Sequence, residues 1–311
     1  MEMTTTRPSY LNLSPKEFEG RVAELYKLLE SCTLCARRCK VDRTRGEKGF
    51  CRSGMELLVS SFFPHFGEED PLRGSHGSGT VFLANCNLRC IYCQNWELSH
   101  LGQGEPMTPE ELARAMLHLQ RLGCHNINFV TPTHFAPQLI EAVRLAAQQG
   151  LRLPIVWNCG GYESVEALKL LEGIVDIYMP DIKYGTEPPA RKYSAAPDYF
   201  EVAKAAVREM HRQVGDLVIE GGLAVRGLLI RHLVLPNGLA GSREVLEFIA
   251  QLSRESYVNI MDQYHPCYKA FDYPELARRI TPEEYEEVIK LAWDLGLRRG
   301  FPERRYIFRL R

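Results

Sequence analysis

The stretch Asn85-Cys86-Asn87-Leu88-Arg89-Cys90-Ile91-Tyr92-Cys93 sets three cysteines at C-x3-C-x2-C spacing, directly after the apolar run Thr80-Val81-Phe82-Leu83-Ala84. Three thiolates spaced in this way can hold three irons of a 4Fe-4S cube and leave the fourth iron without a protein ligand. An open metal position binds a small molecule, as catalytic sites do and closed structural sites do not. The alternative is a zinc knuckle, or three buried and reduced thiols. Zinc sites usually want four ligands, and no His or Cys follows closely enough to complete one locally. The cluster reading is preferred.

Outward from this loop, strand-like and helix-like segments alternate. Strands are expected at 80–85, 126–131, 153–158, 175–180, 228–234 and 258–261, and helices at 109–121, 137–149, 165–171, 199–213 and 244–253. Such alternation predicts an α/β fold of repeated βα units on a parallel sheet. Right-handed connections curl six units into a partial (β/α)6 barrel with its chemistry at the C-terminal strand ends, where the cysteine loop falls. Ser14-Pro15-Lys16-Glu17, Thr108-Pro109-Glu110-Glu111 and Thr281-Pro282-Glu283-Glu284 each read as a helix start, with a hydroxyl cap, Pro first and Glu third.

Residues 1–75 read differently, as a helical, cysteine-rich extension: one amphipathic helix and then a loop holding Cys32, Cys35, Cys39 and Cys51. Gly46, Gly49 and Gly54 supply sharp turns between them. Four thiols close a site, so a second metal centre is expected, either zinc or an auxiliary 4Fe-4S cluster, with a slight preference for iron-sulfur. Arg37, Arg38, Lys40, Arg43, Arg45 and Lys48 offset the charge of a tetrathiolate centre of either kind. The expected organisation is this segment, a core barrel over 76–300 and a basic tail over 301–311.

With 311 residues, 45% hydrophobic and 25% charged, the chain can bury one large core with an accessory segment. A net charge of -1 argues against general polyanion binding no more than for it. The arginines 298, 299, 304, 305, 309 and 311 form a local basic patch, read as a solvated face, with an RNA-binding tail as the alternative. No run approaches the roughly 20 apolar residues of a membrane span, and residues 1–8 lack the apolar core of a signal peptide. A cytoplasmic, reducing location is expected, which suits ten cysteines of which seven are grouped like metal ligands.

The three-cysteine spacing resembles the radical S-adenosylmethionine (SAM) enzymes. Three longer phrases extend the likeness to nearly the whole chain: Cys93-Gln94-Asn95-Trp96-Glu97, the stretch from His125 through Thr131-Pro132-Thr133-His134-Phe135, and Ile230-Arg231-His232-Leu233. They look like the branch related to pyruvate formate-lyase activating enzyme. The resemblance implies the partial barrel, a SAM-cleaving 4Fe-4S cluster on Cys86, Cys90 and Cys93, and SAM contacts from strand ends. Tyr92 matches the family's aromatic position, whose neighbouring backbone meets adenine, and Gln94 follows it. Met179-Pro180-Asp181-Ile182-Lys183 resembles an M-x-D-x-K element that lies beside SAM and helps to hold a monovalent cation. Arg231 and His265 match an Arg and a His near SAM.

Two positions depart from the pattern. Asn158 stands where activating enzymes often have an Asp that joins the cation site, and it offers only a carbonyl oxygen. Thr131 stands where many members have the Glu of Gly-Gly-Glu, which receives the ammonium of SAM, so the charge pairing is gone there. By resemblance the reaction yields a 5'-deoxyadenosyl radical that abstracts hydrogen, with an electron donor such as flavodoxin or ferredoxin. The substrate reading is a glycyl-radical enzyme, with radical modification of a small molecule or RNA as one alternative. A two-centre electron-transfer protein is the other, disfavoured because a carrier needs neither a large barrel nor an open iron.

Overall fold

The computed structural model describes residues 7–302; the tail arginines 304, 305, 309 and 311 lie outside the described residues. Nine strands form one sheet: β1 (Leu57–His65), β2 (Ser78–Leu83), β3 (Glu105–Met107), β4 (Ile127–Val130), β5 (Ile155–Cys159), β6 (Ile177–Pro180), β7 (Val218–Glu220), β8 (Leu223–Leu233) and β9 (Tyr257–Met261). The helices are α1 (Pro15–Lys27), α2 (Asp70–Arg73), α3 (Trp96–Ser99), α4 (Pro109–Arg121), α5 (Ala136–Gln148), α6 (Val165–Leu170), α7 (Glu187–Ser194), α8 (Tyr199–Val214), α9 (Ser242–Leu252) and α10 (Pro282–Asp294).

Strands β2, β4, β5, β6, β8 and β9 pair parallel in that order, which is the expected six-unit partial barrel, shifted by one to five residues at strand ends. All three sequence-marked helix starts carry a full capping box, at Ser14, Thr108 and Thr281. Helices α4, α5 and α8 bury apolar faces headed by Leu112, Met116, Leu139, Val143, Val207 and Met210, while their other faces stay polar.

Three strands, β1, β3 and β7, were not expected. β1 pairs antiparallel with both β2 and β3, so the sheet runs across residue 75 and the first segment contributes a strand to the core. β7 joins β8 by a hairpin whose turn residues Gly221 and Gly222 both have positive φ, 56° and 83°. That is the backbone a tight two-residue hairpin demands and that only glycine adopts without strain. Arg298, which is exposed, donates to the carbonyls of Trp293 and Leu297, and the half-buried Arg299 donates to those of Glu255 and Leu217.

The N-terminal segment is tied to the barrel through buried polar contacts. Tyr10 donates to the Leu153 carbonyl at 3.0 Å, and Asp176 accepts the Ser9 N–H at 2.7 Å and the Ile155 N–H at 2.9 Å. Burial pushes the Asp176 carboxyl up to about 6 against the pull of these donors. A raised folded-state value means its stabilising contribution is complete below the ordinary 3.8 and is lost as pH rises through about 6. We expect Asp176→Asn to lose ground against wild type most at pH 4. The gap should shrink by about 3 kcal/mol on going to pH 7, read by denaturant unfolding at each pH. A gap that widens with pH contradicts the assignment.

Candidate active site

The chain leaves β2 through Ala84 and enters the three-cysteine loop, which α3 closes at once. Asn85 and Arg89 take left-handed backbone, φ 69° and 52°, and bend the loop over the C-terminal ends of the strands. Each sulfur accepts a hydrogen bond: Cys86 from the Leu88 N–H at 3.3 Å, Cys90 from the Ser194 hydroxyl at 2.9 Å, and Cys93 from the Ser99 hydroxyl at 3.2 Å. The loop backbone is held as well. The Ile91 N–H donates to Tyr193, its carbonyl accepts the Lys269 N–H, and the Asn87 amide donates to the Tyr162 carbonyl.

Burial pushes the Cys86 thiol up to about 12 and raises Cys93. Metal coordination reverses that preference by deprotonating the thiol outright, and donors aimed at sulfur favour the anion. The donor set of three thiols, each with its own hydrogen-bond donor, fits a cluster with one open iron. Among the described residues no three His, Cys, Asp or Glu groups are gathered as closely as one metal ion requires. A cube spreads its thiolates over separate irons and does not require them to be gathered so closely.

Beside the loop, the ends of β5, β6 and β8 bring four of the expected residues together. Arg231 donates from Nε to Asp181 at 2.8 Å and from Nη2 to Asn158 Oδ1 at 2.6 Å, and Lys183 Nζ donates to the second Asp181 oxygen at 2.5 Å. Burial alone would raise the Asp181 carboxyl, yet Arg231 and Lys183 outweigh it and hold the group below its ordinary value. Burial likewise opposes the Lys183 charge, and Asp181 and Cys90 overcome it and raise the group. Lys183 thus lies within electrostatic reach of the cysteine loop.

Two glycines allow this approach. A Cβ on Gly160 would stand 2.6 Å from Leu88 Cδ1, and one on Gly161, φ 76°, would stand 2.3 Å from the Asp181 carbonyl oxygen. The Tyr199 hydroxyl accepts the Lys183 N–H and lies within 2.9 Å of the Gly160 and Asp181 carbonyls, fixing the same corner.

Gln94 Nε2 lies 3.3 Å from His265 Nδ1, and the buried Tyr92 ring is packed edge-on against Tyr184 and Tyr264. Thr131 sits at the end of β4 with φ 60°, an uncommon conformation for a β-branched residue, and its N–H donates to the Asn158 carbonyl at 2.8 Å. Cys159 follows Asn158 and faces the other side of the sheet, buried with Trp157 in the apolar core.

In the N-terminal segment Cys32, Cys35, Cys39 and Cys51 line one cavity together with Arg37 and Arg43. A Cβ on Gly49 would stand 2.7 Å from Cys39 Sγ, so glycine makes room for that sulfur. Arg37 joins the two cysteine loops. It stacks 3.8 Å over the Phe50 ring, and it donates to the Asn87 carbonyl at 2.9 Å and to the Ser194 carbonyl at 2.8 Å.

Sequence reasoning missed Ser99, Ser194 and the bridging role of Arg37. Ser194 carried no signal, since it reaches Cys90 across 104 positions. Hydrogen bonds to ligand sulfurs raise cluster potentials. Ser194→Ala should therefore lower the midpoint potential of the cluster at Cys90 while iron content stays unchanged, measured by anaerobic redox titration. An unaltered potential would remove Ser194 from the site.

An open (β/α)6 barrel with a three-thiolate loop after its first parallel strand defines a class of enzymes that cleave SAM at a 4Fe-4S cluster. The Radical SAM superfamily model matches residues 80–225. An uncharacterized protein of Methanocaldococcus jannaschii, MJ0674, is 33% identical over 290 residues, covering 90% of this chain and 79% of the relative. A second from that organism, MJ0808, is 26% identical, covering 85% and 82%. Pyruvate formate-lyase-activating enzyme of Clostridium pasteurianum is 29% identical over 109 residues, 33% of this chain and 44% of that one. Among solved structures, a radical SAM methyltransferase from Sphaerobacter thermophilus superposes with TM-score 0.51 at 14% identity, covering 95% and 94%. The chain belongs to the radical SAM superfamily. It is an enzyme of SAM-cleaving chemistry that binds a 4Fe-4S cluster and SAM and requires a reductant and a substrate. No helix among the described residues is long and apolar enough to cross a membrane.

Proposed function

We propose that the protein is an activase-like radical SAM enzyme that abstracts hydrogen from a protein partner, with Cys86, Cys90 and Cys93 as cluster ligands. The observation that carries the SAM-cleaving part is the loop of three hydrogen-bonded sulfurs set against the buried Asp181, Lys183, Arg231 and Asn158 network. When bound, the cluster and SAM supply a 5'-deoxyadenosyl radical. The chain's own residues orient SAM: the backbone at Tyr92 faces adenine, Gln94 and His265 act as a pair at the rim, and Lys183 and Asp181 meet the ribose side. The Thr131 hydroxyl and nearby carbonyls receive the ammonium that a Glu receives elsewhere.

Lys183 and Arg231 already occupy both Asp181 oxygens and the Asn158 oxygen, so they supply the positive charge that a monovalent cation supplies in the resembling enzymes. The N-terminal cysteine loop holds a second metal centre, read as a 4Fe-4S cluster, and an acidic flavodoxin or ferredoxin reduces the protein in the cytoplasm.

The protein-partner reading is supported by the partial match to pyruvate formate-lyase-activating enzyme and by apolar surface at the loop. Leu101 and Phe271 are 57% and 66% exposed, close in sequence to His100 and Tyr268, whose tilted rings touch while Trp96 stacks on Tyr268. Exposed apolar groups of this size beside a reactive centre suit protein docking. A second reading, a small polar substrate, is favoured by Asn128, which is fully buried with both side-chain amide atoms unpartnered. Anaerobic protein with dithionite and SAM, incubated with candidate glycyl-radical partners, should give a glycyl doublet by electron paramagnetic resonance. Production of 5'-deoxyadenosine with no protein radical in any partner would turn the case to the small molecule.

A further inference from the structure

His134 lies on the connection from β4 to α5 and lines the same cavity as the four N-terminal cysteines, far from them in sequence. It is 1% exposed. Its Nε2 stands 2.8 Å from the Ala84 carbonyl oxygen. A carbonyl only accepts, so Nε2 must carry the proton and Nδ1 in the neutral ring must present a lone pair. That Nδ1 is buried and has no hydrogen-bond partner. Arg43, itself buried on the cavity wall, donates to the His134 carbonyl at 2.7 Å and fixes the backbone that carries the ring.

A histidine whose outer N–H is tied to a backbone carbonyl while its other nitrogen stays bare is the arrangement seen when imidazole binds a metal. An unpartnered buried acceptor destabilises the fold unless something satisfies it. We propose that His134 Nδ1 is a ligand of the N-terminal metal centre, which is therefore a mixed thiolate and imidazole site. This rests on reading Cys32, Cys35, Cys39 and Cys51 as metal-binding. Five potential donors then line one cavity, and a centre that uses four of them leaves one thiol in reserve. Imidazole in place of thiolate removes a negative charge and raises the potential of an iron-sulfur cluster.

The test uses the full chain carrying Cys86→Ala, Cys90→Ala and Cys93→Ala, so that only the N-terminal centre remains, grown with 15N-histidine and reduced with dithionite. Pulsed electron paramagnetic resonance should show a strongly coupled histidine nitrogen. His134→Ala should remove that coupling, keep the iron because the reserve thiol takes the vacated position, and lower the midpoint potential. The isotope reading on the intact histidine does not depend on the His134 variant folding. Should the triple variant carry zinc, X-ray absorption must show one nitrogen among the sulfurs, and a shell of sulfur alone overturns the proposal. An iron centre without coupled nitrogen overturns it too, while leaving the four-cysteine centre standing. A triple variant that is folded and holds no metal overturns both.

Discussion

Cys90→Ala is expected to bring 5'-deoxyadenosine formation down to background under anaerobic, reducing conditions, with the fold retained. Cys90 is the most enclosed of the three loop sulfurs, receives the Ser194 hydroxyl and lies within the field of Lys183. Its removal leaves two thiolates for a cube that requires at least three, and the open iron on which SAM depends is lost with it. The side chain is small, and the loop backbone stays anchored through Ile91 to Tyr193 and Lys269. Loss of activity should therefore not track loss of structure. Iron analysis should fall by about four atoms per chain, and circular dichroism should match wild type. Retention of SAM cleavage by this variant would dismiss the loop as the catalytic centre.

Much of this architecture was legible because local signals and the fold agree. The three capping boxes are short-range chemistry, and each one appears where the hydroxyl, Pro and Glu occur. Strands β2, β4, β5 and β6 are runs buried almost throughout on both faces, a pattern that survives without knowledge of partners. β1 was hidden because its exposed face and Pro64 weaken the strand pattern, and its partners β2 and β3 lie beyond a helix and the cysteine loop. The β7–β8 hairpin had a signal that went unread, two adjacent glycines between short apolar runs.

At the site, residue identity was legible and connectivity was not. Asp181 and Lys183 share a face by spacing alone, but their union with Arg231 and Asn158 depends on three strands meeting in register. Arg37 shows the same limit. It reads as one of six basic residues near a tetrathiolate, and its contacts with Asn87 and Ser194 span 50 and 157 positions.

Asp181→Asn should be the most damaging single substitution outside the cysteines. Asp181 is the one anion between Lys183 and Arg231, and the three side chains are only 14% to 21% exposed. Removing the carboxylate leaves the two cations facing each other without the anion they share, with Glu69 and Glu68 as the remaining opposite charges near Arg231. Breaking a buried pair in this way costs about 3 to 5 kcal/mol, and the residual exposure puts this case near the lower end. For a chain of 311 residues about 3 kcal/mol corresponds to a fall in Tm of roughly 5 °C. The pH dependence has a definite sign. Asp181 is held below the ordinary 3.8, so its contribution is present above that value and disappears as pH falls through the depressed one. Lys183 is raised above the ordinary 10.5, so its contribution is complete below that value and is lost only as pH rises through the raised one. Across the whole neutral range the difference in Tm between wild type and variant should be flat, and it should narrow in acid as the wild-type carboxylate takes up its proton. SAM cleavage should fall with it, since Lys183 loses the partner that aims it toward the loop. A variant as stable as wild type at pH 7 would mean that solvent, rather than Asp181, balances the two cations.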